Sequence, residues 1–150
     1  LPALGISWTE AGRYCESVGK RLPTEQEWEK AARGTEGQEY PWGLVFENTL
    51  ANTVEAGLGK PTRVGSYYAS ASPYGAMDMA GNAYEWVSDW YEAYPGNTDV
   101  TKDYGQIFRV LRGGSFISEK FEARCAARHF DRIDSKRHDY GCRCAMNARE

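Results

Sequence analysis

The stretch "TRVGSYYASASPYGAMDMAGNAYEWVSDWY", residues 62–91, decides the fold because it shows how little regular structure the chain can form. It is dominated by Gly, Ser, Asn and Tyr, and its apolar runs, such as "AYEWVSDWY", are short. The same composition extends from Gly34 to Gly105 and favours long irregular loops held together by aromatic side chains. Loops of this length in a compact domain are usually functional, or are held by ions or disulfides.

Two helices are predicted before Gly34. In "SWTEAGRYCESVG", Ser7 is the N-cap and Glu10, three residues later, completes a capping box. In "PTEQEWEKAARG", Thr24 and Glu27 repeat the pattern, and each segment places apolar residues at helical spacing before a glycine ends it.

Strand patterns follow the loops. The segments "QIFRVLRGGSF", "FEARCAAR" and "YGCRCAMN", residues 106–116, 121–128 and 140–147, alternate well enough to predict three strands. The order of helices, loops and then a small antiparallel sheet predicts an α+β fold.

The composition bounds the class of protein. With 150 residues, 41% of them hydrophobic, the chain fits a single domain, residues 1–150, with a real core. No stretch approaches the ~20 consecutive apolar residues that a membrane helix needs, so we expect no membrane insertion. Acidic and basic residues interleave through residues 119–150, which argues against a nucleic-acid partner.

Five ordered motifs carry a family resemblance. They are "SWTEAGRYCESVGKRLPTEQEWEKAARG", "YPWG", the opening stretch, "RVLRGGSF" and "YGCRCA", and together they resemble the formylglycine-generating enzyme, or sulfatase-modifying factor, family. The resemblance implies a C-type lectin-like fold with two helices, small antiparallel sheets and extensive irregular loops. It also implies that the chain lacks the β-hairpin and helix that usually precede "SW" in this family.

The catalytic signature of the family is missing. Its copper-dependent oxidases carry two cysteines in a C-x4-C arrangement after "GGS", and thiolates suit that role because they are soft ligands for Cu(I). Here Lys120 falls where the second cysteine is expected, and no cysteine of the interval precedes Cys125. We therefore expect no copper, no catalytic residues and no formylglycine generation by the family's mechanism.

The resemblance also assigns the cysteines. It implies a disulfide between Cys15 and Cys144, and a disulfide favours a location at the cell surface, in a secreted protein or on a virion. Cys125 matches another family disulfide position, but its expected partner is Ala32. Cys142 could bridge to Cys125 from a neighbouring strand, or both could be free thiols.

A zinc site is the alternative for this region. Cys125, His129, His138 and Cys142 form a possible Cys2His2 set. Residues four apart on a strand are separated by about 13 Å, so each pair would need a turn or bulge to converge, and we do not favour this interpretation.

Calcium is the cofactor that the resemblance implies. The segment "MDMAGNAYEW" matches the family's calcium loop, in which Asp78 and Glu85 supply carboxylate oxygens and Gly81 and Ala83 supply carbonyl oxygens. Such a donor set suits a hard cation that takes about six to eight oxygens. The ion would be structural, and a Gly-Asn turn without a metal is the alternative.

The candidate binding surface lies in "SFISEKF" and "HFDRIDSKRHDY", which in this fold lie where substrate or ligand binds. The second segment mixes charged, polar and aromatic residues without periodicity, as exposed binding surfaces do, although a merely solvated loop is the alternative. The candidate ligand-binding residues are Phe116, Ser118, Lys120, Phe121, His129, Phe130, Asp131, Arg132, Ile133, Asp134, Arg137, His138, Asp139 and Tyr140.

Three functions follow from these patterns. The favoured one is a non-catalytic module that binds a protein or glycan ligand, similar to the variable proteins of diversity-generating retroelements. In those proteins, changes at adenines of Asn codons cannot produce Glu, Lys, Gln, Met or Trp, and residues 129–142 contain none of these apart from Lys136. The alternatives are an oxidase with a different site and an accessory domain of a larger enzyme, such as an iron-dependent sulfoxide synthase.

Overall fold

The computed structural model describes residues 1–148 and contains two helices and one four-stranded sheet. The elements are α1 (Trp8–Ser17), α2 (Glu25–Arg33), β1 (Tyr84–Trp90), β2 (Arg109–Arg112), β3 (His129–Asp131) and β4 (Tyr140–Cys142), with short 3-10 turns at Val54–Ala56 and Tyr68–Ser70. The α+β class and the dominance of irregular loops are confirmed.

Both helices begin as their sequences predict. Ser7 Oγ accepts the backbone N–H of Glu10, whose carboxylate accepts the N–H of Ser7, and Thr24 and Glu27 make the same reciprocal pair. These capping boxes satisfy donors that a helix cannot satisfy internally. Neither helix, nor any other helix among residues 1–148, is long and apolar enough to cross a membrane.

The sheet is mixed rather than antiparallel. Its order is β3-β2-β1-β4, in which β1–β2 and β2–β3 are antiparallel and β1–β4 is parallel. The chain leaves β3 at one edge and returns through a long loop to the opposite edge. A loop of that length leaves the direction of β4 open, so the strand pattern alone could not predict it.

One predicted strand is wrong. The segment "FEARCAAR" forms turns, and the strand β3 begins only at His129. The buried side chain of Arg112 forms hydrogen bonds to two carbonyls of this segment, donating to Cys125 O at 2.8 Å and to Ala126 O at 3.4 Å. The backbone acceptors are therefore satisfied by a guanidinium instead of by a neighbouring strand.

The sheet is buried on both faces. Trp86 and Val87 are consecutive residues of β1, both fully buried, and they point to opposite sides. The helix α1 covers the face of Trp86, and α2 covers the face of Val87. The short apolar run "AYEWVSDWY" thus supplies the longest strand, which is one of the two interior strands of the sheet.

The predicted disulfide is confirmed. Cys15 on α1 bonds to Cys144, just beyond β4, with their Cα atoms 5.5 Å apart. Beside it, Arg21 and Ala145 exchange two backbone hydrogen bonds, Arg21 N to Ala145 O at 2.9 Å and Ala145 N to Arg21 O at 2.7 Å. The terminal segment is therefore fixed to the start of the domain.

Candidate functional site

The two predicted binding segments lie side by side and form one surface, here called the loop face (residues 116–121 and 129–142). Ser115 Oγ, next to the first segment, donates to Asp139 Oδ2 of the second at 2.7 Å. The rings of Phe116 and His138 meet edge to face, with centroids 5.7 Å apart. The structure thus brings together segments that the sequence could associate only through the family resemblance.

A hydrogen-bonded framework supports the loop face. Asp131, at the end of β3, accepts the Tyr140 hydroxyl at 2.9 Å, Ser135 Oγ at 2.8 Å and the backbone N–H of Arg132 at 2.8 Å. His129 Nε2 lies 2.9 Å from the same hydroxyl. Because Tyr140 gives its proton to Asp131, Nε2 of His129 is the donor to the tyrosine oxygen.

Burial keeps the framework rings neutral. The pKa of His129 is lowered because burial disfavours the imidazolium, and Asp131 and Glu122 offset only part of this effect. The pKa of Tyr140 is raised by burial and by its hydrogen bond to Asp131. The Tyr84 ring stacks on the His129 ring with centroids 4.6 Å apart, so the imidazole is held on two sides.

The predicted binding residues separate into three groups. Phe116, Ser118, Asp139 and Tyr140 are buried; Lys120, His129, Phe130 and Asp131 are partly buried; and Phe121, Arg132, Ile133, Asp134, Arg137 and His138 are exposed. Phe130 stacks on Tyr91 with centroids 4.0 Å apart, so it faces the protein. The tip of the loop, residues 132–134, is exposed to solvent, and Ile133 is 41% exposed.

Two adjoining cavities open on the loop face. The smaller, of about 110 Å³, is lined by Tyr84, Ile117, Ser118, Glu122, His129, Arg137, Asp139 and Tyr140. The larger, of about 220 Å³, is lined by Tyr84, Phe121, Glu122, Arg124, Ala127, Arg128 and His129. Tyr84 and Glu122 belong to both, yet neither was among the predicted residues, because Tyr84 reaches the loop face only through the pairing of β1 with β4.

Serines occupy the interval in which the family's oxidases carry their cysteine pair. Ser115 and Ser118, in the interval that holds the oxidases' cysteines, bond to each other with oxygens 3.2 Å apart. The two free cysteines are Cys125, whose pKa burial raises to about 12, and Cys142, whose pKa burial and Glu85 raise to about 11. Burial therefore keeps both side chains as thiols at neutral pH in the metal-free chain.

The possible bridge between Cys125 and Cys142 is not formed, because the two side chains pack into different core clusters on opposite faces of the sheet. The Cys2His2 alternative does not form either. Within residues 1–148, no group of three or more His, Cys, Asp or Glu side chains is placed to hold a metal ion.

The predicted calcium ligands lie on one cavity wall. Asp78, Gly81, Ala83 and Glu85 all line a cavity of about 810 Å³. Gly81 has φ +75°, and a Cβ there would lie 2.5 Å from Asn52 O, so only glycine fits this turn. The turn therefore packs the loop backbone closely against Asn52.

A cation of the protein already binds Glu85. Arg143 donates from Nε and Nη2 to the two carboxylate oxygens at 2.6 and 2.7 Å, and from Nη2 to Met77 O at 2.9 Å. Asp78 Oδ2 accepts Gly65 N at 2.7 Å. Glu85 is therefore already paired with a cation of the protein, which leaves Asp78 as the other carboxylate of the expected donor set.

Comparison with known protein families matches residues 1–148 to the model of the sulfatase-modifying factor enzyme 1-like domain. The chain is 42% identical over 153 residues to serine/threonine-protein kinase pkn1 of Chlamydia pneumoniae, covering 97% of this chain and 24% of the kinase. It is 37% identical over 163 residues to inactive C-alpha-formylglycine-generating enzyme 2 of Mus musculus, covering 99% of this chain and 50% of that protein. The chain therefore spans between a quarter and a half of these relatives.

Among solved structures, Treponema denticola variable protein 1 superposes with a TM-score of 0.83 at 21% identity, covering 94% of this chain and 69% of that one. At this level of identity the likeness concerns the fold. It agrees with the C-type lectin-like arrangement expected from the sequence motifs.

Proposed function

The chain belongs to the sulfatase-modifying factor enzyme 1-like domain family, and from this premise we propose that it is a non-catalytic module that binds a protein or glycan ligand at the loop face. Family membership alone does not decide between catalysis and binding, because one fold can carry either. The decision rests on the loop face itself.

The proposal rests on a difference between two sets of side chains in residues 129–140: one set bonds within the protein, and the other points outward without such bonds. Asp131, Ser135 and Tyr140 make the internal hydrogen bonds, while the side chains of Arg132, Ile133 and Asp134 make no hydrogen bond or ion pair within the described part of the chain. A rigid framework that presents outward side chains free of internal bonds suits recognition, because the outward side chains can change without loss of the fold.

Two comparisons support a binding role. One relative is itself named an inactive formylglycine-generating enzyme, and one structural neighbour is named a variable protein. We extend the proposal to a retroelement variable protein diversified within residues 129–142. A near-copy of the DNA encoding residues 113–145, mismatched at adenines and beside a reverse transcriptase gene, would support this extension, and its absence from the genome would contradict it.

The second candidate is an accessory domain of a larger enzyme. It is favoured by the 24% share of the kinase pkn1 that the chain spans. In that case the chemistry belongs to a part outside these residues, and the loop face would bind that enzyme's substrate or partner. An oxidase with another site is the third candidate, and a copper-dependent thiol-oxidation assay on this chain separates it from the other two.

The Cys15–Cys144 disulfide bears on location. Disulfides persist in oxidising compartments, and this supports a protein at the cell surface, secreted or on a virion. A surface-displayed binding module would act in the same compartments.

Substitutions within one loop test whether the internally bonded residues stabilise the fold and the outward residues do not. Asp131→Ala should lower the free energy of unfolding by about 2 kcal/mol or more, because the Tyr140 hydroxyl and two other donors lose their acceptor. The matched change Asp134→Ala, at an exposed position three residues away, should alter it by less than about 0.5 kcal/mol. Urea unfolding followed by tryptophan fluorescence measures both free energies. Equal losses of unfolding free energy in the two variants would contradict the separate roles of Asp131 and Asp134.

Calcium remains a proposal for the loop around Asp78. If the ion binds there, millimolar calcium should raise the midpoint of thermal unfolding by a few degrees over the value in EDTA, since it binds only the folded chain. Asp78→Asn should lose the rise, and Glu10→Gln, at another acid lining the same cavity, should keep it. Equal midpoints in EDTA and calcium would contradict the proposal and leave Arg143 as the only cation on Glu85.

A further inference from the structure

A buried carboxylate of the loop face lacks part of its hydrogen bonding. Asp139 is only 2% exposed, and its Oδ2 accepts Ser115 Oγ at 2.7 Å. Its Oδ1 is buried and accepts no hydrogen bond from any described residue. The Nε of Arg137 lies 3.9 Å from Oδ1, beyond hydrogen-bond distance. Arg137 is near enough to pair electrostatically with Asp139, but a buried carboxylate oxygen without a hydrogen-bond donor is still costly and calls for an explanation.

Asp139 lines the smaller cavity of the loop face together with a second carboxylate. Glu122 accepts the Tyr84 hydroxyl at 2.9 Å and the backbone N–H of Glu119 at 3.0 Å. Arg137 is the only Lys or Arg among the lining residues, and its side chain is 59% exposed. The cavity therefore offers two acids and one cation that stays largely in solvent.

Three aromatic side chains also line the cavity, together with Ile117 and Ser118. The rings of Tyr84, His129 and Tyr140 line the same cavity, and each is held in place by stacking or edge contacts with the others. Aromatic faces attract organic cations, and a carboxylate oxygen without a donor completes a site for one. The site is negative, preformed and partly apolar, which suits an ammonium group at the end of an alkyl chain.

We propose that this cavity binds the ε-ammonium group of a lysine side chain on a protein ligand, with Asp139 Oδ1 as its main acceptor. The inference rests on the proposed binding function and names the chemistry that the loop face recognises. It assigns the buried Asp139 to ligand binding.

The size of the cavity favours this ligand over others. At about 110 Å³ it is smaller than the ~150 Å³ cavity that holds a benzene ring, so a sugar ring is too large. Calcium would need about six to eight oxygens, more than two carboxylates supply. A guanidinium is already beside the site, on Arg137, and it stays 3.9 Å away from Oδ1.

An NMR titration of the full chain with Nα-acetyl-lysine amide tests the proposal. We expect saturable shifts of the backbone amides of Ser118, His129 and Tyr140, and none with the matched probe whose side-chain amine is also acetylated. Asp139→Asn should weaken binding by about tenfold or more, whereas Asp134→Asn, at an exposed carboxylate of the same loop, should leave it unchanged. Equal shifts with the acetylated probe, or unchanged binding by Asp139→Asn, would overturn the proposal.

The thermal stability of Asp139→Asn distinguishes a ligand-binding role of Asp139 from a structural role. Asparagine keeps an acceptor for Ser115 and removes a buried charge whose Oδ1 lacks a hydrogen-bond donor, so Asp139→Asn should unfold at the same temperature as the wild type or higher. A marked fall in the midpoint would show that Asp139 is needed for folding and would overturn its assignment. Glu122→Gln is an independent variant that should also weaken lysine binding. Unchanged binding would contradict a role for Glu122 in the ammonium site.

Two further results distinguish this inference from the proposed function. Larger shifts with glucosamine than with the lysine probe would overturn the protein ligand in favour of a glycan. Ligands that bind the loop face through residues 132–134, combined with no response to any amine, would overturn the ammonium site alone and leave the binding function intact.

Discussion

Replacing Cys15 and Cys144 by serine is expected to lower the free energy of unfolding by about 5 kcal/mol. The bond joins residues 129 positions apart, so it closes a loop that includes almost the whole chain. Without it the unfolded chain gains a large conformational entropy, while the folded structure keeps the hydrogen bonds between Arg21 and Ala145. The loss is comparable with the whole stability of many domains of this size.

Urea unfolding of the double variant and of the oxidised wild type measures this effect. Cys142→Ser is the matched control, because Cys142 lies two residues before Cys144 and forms no disulfide. It should retain most of the stability, since it loses only a half-buried thiol. Equal midpoints for the double variant and the wild type would show that the disulfide does not restrict the unfolded chain.

The second large effect is expected at Arg112, whose side chain is fully buried in the interior. It binds Glu25 at 3.0 Å, Glu29, and the carbonyl of Cys125 at 2.8 Å. Arg112→Met keeps the apolar volume but removes the guanidinium from two acids and from a backbone carbonyl. Arg128 then remains on Glu25, and Arg33 remains on Glu29. Breaking a buried pair in this way typically costs about 3–5 kcal/mol.

The control for Arg112→Met is Arg124→Met. Arg124 pairs with Glu39 at 3.4 Å with both side chains more than 40% exposed, and such pairs contribute about 0–1 kcal/mol. A loss at Arg112 no larger than that at Arg124 would contradict the structural role of the guanidinium.

The sequence predicted the local elements well and the strand pairings less well. Capping boxes are encoded within four residues, so both helices begin where Ser7 and Thr24 place them. The segment around Cys125 alternates like a strand, but its carbonyls bond to Arg112. Local periodicity carries no information about such a distant partner. The parallel pairing of β4 depends in the same way on the path of a loop.

The candidate site was predicted as a region, but its details were not. The two segments do meet, yet exposed and buried residues alternate within them without a period that a pattern could reveal. The cavity also needs Tyr84 and Glu122, which are 38 positions apart and meet through one hydrogen bond. Asp139 was predicted as a surface residue and proves to be almost fully buried.

The central claim is that the loop face binds a ligand, and the most direct measurement is the affinity of selected ligands for a variant of that face. Peptides would be selected from a random library on the immobilised chain and glycans from an array. Each would then be titrated against the wild type, against the combined alanine variant of Arg132, Ile133 and Asp134, and against Lys30→Ala on α2, an exposed residue outside the loop face. We expect the triple variant to lower the affinity for the selected ligands by about tenfold or more, and Lys30→Ala to leave it unchanged. Equal affinity for the wild type and the triple variant would contradict the central claim.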